Sequence, residues 1–187
     1  MASDQRAEIE RIATQLRRAY EGPSWHGPAV KEALAGISAE QAQQRHGVAH
    51  TIIELVLHIA AWKTIVRSRV LGEPAQEIAP EINWPTPQAG ATEQRAWDAA
   101  LARLENSQQD LLEVVNGLDD TRLNELLANT PWTIYDLLHG VVQHDLYHSG
   151  QVALLKKLSQ VAENLDGRAA GGADIPVCHL ITQQHPE

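Results

Sequence analysis

The stretch that decides the fold is residues 133–159, TIYDLLHGVVQHDLYHSGQVALLKKLS. Thr133, with Asp136 three residues on, supplies the pattern of a capped helix start. From there Leu137, Gly140, Val141, His144, His148, Gln151 and Leu155 recur at helical spacing and define one face. It is the kind of face that a bundle helix turns inward.

The same period appears upstream. Residues 92–116 place Trp97, Ala100, Leu101, Leu104, Leu111, Leu112 and Val115 on one side and end at Gly117. A third long helix starts at Thr51, whose spacing to Glu54 is that of a capping box, and runs to about Leu71 before Gly72. Residues 4–20 form a further amphipathic helix through Ile9, Ile12, Ala13, Leu16, Ala19 and Tyr20, with Ser3 or Asp4 as cap. Short helical stretches are expected over 28–35 and 38–44. The proline-rich segment 72–91 reads as a long loop, of a length that is usually functional or flexible. Four long amphipathic helices without a strand candidate predict an all-α four-helix bundle over residues 1–165. Beyond Asp166 apolar periodicity stops, so residues 166–187 read as a loosely held C-terminal tail.

Composition agrees with that class. The 187 residues suffice for one domain, and 43% are hydrophobic although Phe is absent, so Leu, Ala, Ile and Val carry the core. A net charge of −9, from 24 acidic and 15 basic side chains, argues against a nucleic-acid partner, which needs a basic footprint. The one cysteine, Cys178, makes no internal disulfide and points to a reducing, cytoplasmic setting. Residues 1–5 carry neither a basic nor an apolar leader segment, and the apolar runs are too interrupted for a membrane span.

The chemistry concentrates in His144 and His148. Two histidines at i and i+4 share a helix face, about 6 Å apart at Cβ, so both rings can reach one ion at about 2.0–2.1 Å. Spacing alone is weak evidence: with 9 His in the chain, chance supplies about 0.4 such pairs. Their apolar face strengthens the case, because inward-facing imidazoles must be bonded or ligated. Gly140, one turn before His144, lets a neighbour or ligand come close, and Gln151, one turn after His148, is placed to bond a ligand water or an imidazole N–H. His58 is the one further histidine in the middle of a predicted helix, on a face with Leu55, Trp62, Ile65 and Arg69. The structural alternative is that each is a core histidine bonded to a carbonyl. His46 and His50 straddle Gly47 and do not share a face, and His139 points away from His144. Tyr147 and Asp145 lie off the histidine face and read as structural, Trp62 as core, and Glu54 as a cap. Trp25, Trp84 and Trp132 read as loop anchors that could wall a pocket.

On ELVLHIAAW at 54–62 and HDLYHSGQV at 144–152, supported by GPSWHGP at 22–28 and the lead-in from Thr133 to Gly140, the chain resembles the DinB-like (DinB/YfiT) superfamily over about residues 5–160. The resemblance implies a four-helix bundle, often a homodimer, with a three-histidine site for a divalent transition metal. Nickel or zinc comes first, and manganese or iron is also compatible with such ligands. The ligand positions fall on His58, His144 and His148, with Gln151 in support. The tail has no counterpart in the pattern. The family includes enzymes that use low-molecular-weight thiols as transferases or isomerases.

Two classes of function remain open at this level. A three-histidine site that leaves a coordination position free suits an enzyme acting on a small-molecule substrate, by thiol transfer or by hydrolysis. A site closed by a fourth protein ligand suits a non-enzymatic sensor or scaffold.

Overall fold

The computed structural model describes residues 6–73, 77–87 and 89–170, with the backbone alone over 163–170. In chain order these residues form α1 (Ala7–Glu21), α2 (Val30–Leu34), α3 (Ala39–Gln43), α4 (Ile52–Val70), α5 (Pro80–Asn83), α6 (Glu93–Asn116), a 3-10 helix (Asp120–Asn124) and α7 (Ile134–Ala170). The β structure among the described residues is an isolated bridge between Leu126 and Thr133. The long helices α1, α4, α6 and α7 make the bundle. Helix α4 packs against both α6 and α7, and α1 closes the opposite side against the same two helices.

Local chemistry sets the helix starts. The Thr51 hydroxyl accepts the Glu54 N–H at 3.3 Å while the Glu54 carboxylate accepts the Thr51 N–H at 2.9 Å, so two otherwise orphaned donors are satisfied together. Thr133 and Asp136 repeat the arrangement at the start of α7. Helix α4 is buried almost all round over Ile52–Ala61, as expected of a helix with neighbours on every side. All six inward residues expected of α1 are buried. The Ser3 and Asp4 caps lie outside the described residues.

Along α7 the buried positions include Ile134, Leu138, Val141, Asp145, His148, Val152, Leu155 and Ser159, with Ser149 buried beside His148. Apart from Ser149 they alternate four and three apart, the seam of a helix packed lengthwise against partners. This corrects the inward face expected from sequence. Asp145 belongs to the seam and is completely buried, while His144 sits half-buried at its edge. The reason is Lys63 on α4, whose equally buried ammonium lies 2.5 Å from the Asp145 carboxylate.

The core accordingly falls into two apolar clusters. One includes Tyr20, the first half of α4 to Ala60, α6 to Leu104, and Val152 and Leu155 of α7. The other includes Ile9 to Leu16, Val66 and Val70, Leu111 and Val115, and α7 from Ile134 to Val141. Between them stand Lys63, Ser107, Gln108, Asp145, His148 and Ser149, all buried. The bundle therefore carries a polar layer at mid-height.

Two boundaries differ from expectation. The 72–91 segment contains α5 and is not loop throughout. Helix α7 continues past Ser159 to Ala170, taking up the start of the expected tail, and residues 171–187 lie outside the described residues. No helix among the described residues is long and apolar enough to cross a membrane.

Candidate metal centre

The bundle brings together His58 from α4 with His144 and His148 from α7. One ring nitrogen of each lies within 4.8 Å of the others. His58 Nε2 and His144 Nε2 are 3.1 Å apart. Two nitrogens bound to one ion at about 2.0–2.1 Å stand about 2.9–3.4 Å apart for angles between octahedral and tetrahedral, so this pair already has the spacing of shared ligation.

The other ring nitrogens fix the proton positions. His58 Nδ1 is 2.6 Å from the Asn83 main-chain oxygen, which can only accept, so Nδ1 carries the proton and Nε2 presents a lone pair. His148 Nδ1 donates to Gln151 Oε1 at 2.7 Å, which leaves its Nε2 bare in the same way. His144 Nδ1 is buried and has no hydrogen-bond partner among the described residues. Burial lowers the His144 pKa to about 3, with His148, His58 and Lys63 acting in the same direction. Burial also lowers His58, against the raising effect of the Asn83 carbonyl, and lowers His148, against that of Gln151. All three rings are therefore neutral at pH 7, the form that ligates a metal.

Asn83 and Trp84 come from the end of α5; the sequence marked Trp84 as a loop anchor that could wall a pocket, as it does beside His148, but gave no sign of Asn83 or of the stacking on His58. Asn83 orients His58 through its main chain and accepts the Trp62 indole N–H at 2.9 Å through its side chain. Trp84 stacks on His58 at 3.8 Å between ring centres and on His50 at 3.6 Å, so one indole lies between two imidazoles. Glu54 in turn holds His50 at 3.1 Å and Arg45 at 2.5 Å. The one hint of that docking in sequence was the length of the 72–91 segment, since only the tertiary fold shows where such a segment docks.

The remaining candidates fall elsewhere. His46 bonds Ser159 Oγ at 3.0 Å, and His139 packs on Tyr135, away from the cluster. Trp62 is only half-buried and lines an open cavity instead of packing wholly in the core. That cavity, about 430 Å³, lies on the His144 side between Trp62, Trp132 and Leu137. A second, about 420 Å³, lies on the His148 side between Trp84, Tyr147 and Gln151. A Cβ on Gly140 would meet nothing within 4 Å, so this glycine leaves room in the first cavity and is not pressed by a neighbouring helix.

The donor set therefore fits a divalent transition metal: three neutral imidazoles, two of them locked to present Nε2, and no fourth ligand residue in the group among the described residues. No curated protein matches the chain. The profile of the DinB superfamily matches residues 13–152, a span that holds His58, His144 and His148, and the chain accordingly belongs to the DinB superfamily.

Proposed function

We propose that the protein is a metal-dependent enzyme in which His58, His144 and His148 hold a nickel or zinc ion, manganese and iron being the further choices, and which transfers a low-molecular-weight thiol to a small electrophilic substrate. The observation that carries this reading is a cluster of three neutral histidines with a cavity on each side. A sensor or scaffold site is normally closed by a fourth ligand, and among the described residues none joins this group. Hydrolysis needs one organic pocket and water. Two openings of similar size, one bordered by His144 and the other by His148, favour two organic substrates meeting at the cluster.

A divalent ion bound by three neutral ligands keeps its full charge and supplies a Lewis acid that favours a thiolate over a thiol at neutral pH. The chain's own part is orientation and exclusion of water. Asn83 and Gln151 keep the His58 and His148 protons on Nδ1, and ordering of this kind outside the ligand set tunes affinity. Trp84 covers one face of His58, and Trp62 walls the side that His144 opens.

The test is metal content. Protein purified without chelators and reconstituted with nickel, zinc, manganese or iron is expected to hold one ion per chain by mass spectrometry. His144→Ala and His148→Ala should each lose it while keeping the wild-type circular dichroism. Substoichiometric metal in the wild type overturns the proposal. Calorimetric titration of the loaded protein with glutathione, bacillithiol and mycothiol tests the thiol: binding of none of them removes the transfer step.

A further inference from the structure

The cavity on the His144 side has a second polar end. It runs along the groove between α4 and α7, and its lining includes Trp62, Trp132 and Leu137 as apolar walls together with Arg69, Asp136 and His144. The two helices run antiparallel here, because the end of α4 at Val66 and Val70 packs with Ile134, Leu138 and Val141 at the start of α7. Asp136 and His144 are therefore about 12 Å apart along the helix axis. Arg69 stands at the Asp136 end, and helical side chains lean toward their own N-terminus, which tilts Arg69 back toward the histidines.

Arg69 shares with Arg67, on the same helix, the lack of a side-chain partner among the described residues, but of the two only Arg69 lines this cavity. Arg11, Arg45 and Arg122 each pair with a glutamate. The Arg69 side chain makes no ion pair and no hydrogen bond among the described residues, although it is half-buried. Asp136, the acidic residue lining this cavity, is already committed, since its Oδ2 accepts both the N–H and the hydroxyl of Thr133 at the α7 cap. Glu73 and Glu125 line a neighbouring cavity with Arg69, and Glu125 is paired with Arg122. A planar guanidinium at the end of an apolar trough is suited to a carboxylate, which it can grip with two parallel hydrogen bonds. With Asp136 lining the same cavity and Glu73 and Glu125 lining the next one, the surroundings favour an anion of one charge over a phosphate of two.

We infer that the electrophilic substrate is a small monocarboxylate with an apolar body: the carboxylate on Arg69, the body between Trp62 and Trp132, and the reacting end directed to His144. This rests on the proposed reaction for the word substrate, but the binding it requires does not depend on a metal. The probes are 4-phenylbutyrate, its neutral amide and phenyl phosphate, titrated by indole fluorescence into full-length protein with and without zinc.

In the metal-free protein the acid should bind about tenfold or more tightly than the amide, the range expected of a charge-assisted pair. Arg69→Gln should abolish that preference without altering the affinity for the amide. Arg69→Lys keeps the charge and loses the fork, so it should fall between the two. Circular dichroism melts show whether each variant is folded. Equal binding of acid and amide, a preference that survives Arg69→Gln, or tighter binding of the phosphate overturns the inference. If zinc fails to bind while the Arg69-dependent preference is present, the proposed reaction fails and the carboxylate site stands. If zinc binds and the preference is absent, the reverse holds.

Discussion

His144 and Asp145 are neighbours in the chain, yet they belong to two buried polar groups that balance in different ways. Asp145 meets Lys63 at 2.5 Å, and Lys63 also donates to Gln108 Oε1 at 2.7 Å, so each charge has its counterpart inside the protein. Burial raises the Asp145 carboxyl and the Lys63 ammonium opposes that rise. The three histidines have no such closure. Their lone pairs converge, two of their protons are held outward by Asn83 and Gln151, and His144 Nδ1 is left without a partner among the described residues. Asp145 Oδ1 too lacks a hydrogen-bond partner among the described residues, so the contrast lies in charge and direction: the ion pair neutralises itself, whereas three neutral imidazoles point nitrogens at one place, as a metal-binding group does.

Breaking the ion pair should have the largest effect. Lys63→Met leaves a buried carboxylate with no counter-charge and should lower stability by about 3–5 kcal/mol in urea unfolding. The double variant Lys63→Met/Asp145→Leu should recover most of that loss, because two apolar side chains need no balancing. His144→Ala removes no charge and opens onto an existing cavity, so in metal-free protein it should shift stability by about 1 kcal/mol or less. Equal losses for Lys63→Met and for the double variant would mean that charge balance is not what Lys63 contributes.

The cluster can be weakened without touching a ligand. Gln151→Leu takes the acceptor from His148 Nδ1 and frees the ring to turn or change tautomer. Competition with a chelator should show metal affinity about 10–100-fold lower, while the unfolding midpoint of the metal-free protein stays near wild type. An unchanged affinity would reduce Gln151 to a bystander in the second cavity.

Much of the histidine group was legible in the sequence and almost none of the ion pair was. The i,i+4 spacing of His144 and His148, the position of His58 inside a helix and the Gln151 repeat are local patterns, and helical geometry carries them directly into space. The caps at Thr51 and Thr133 mark their helices for the same reason. Lys63 and Gln108 drew no reading from the sequence and Asp145 read only as structural, because the three come from different helices and no local spacing joins them. Drawing the inward face of α7 through both histidines set it to one side of the true seam, which runs through Asp145. Asn83, and the stacking of Trp84 on His58, escaped for another reason: α5 is too short for a period to show, and its docking against His58 is purely tertiary.

Acid sharpens the contrast by acting on the histidines before it reaches ordinary carboxylates. In the metal-free protein the His144 pKa is about 3, held down first by burial, whereas the unfolded chain takes up that proton near pH 6.5. Between those two values the unfolded state binds more protons than the native state, so stability must fall as pH falls. The contribution of neutral His144 is thus intact above the unfolded value and is progressively lost below it. His144→Gln removes this titration and leaves the other groups in place. The stability difference between wild type and variant should therefore move against the wild type by about 1 kcal/mol from pH 7 to pH 5.5, read from urea midpoints at each pH. Groups common to both proteins, including the Lys63–Asp145 pair, cancel in that difference. A difference that stays flat over this range would mean that His144 gains its charge in the folded protein as readily as in the unfolded chain, and that the cluster is not held neutral by burial.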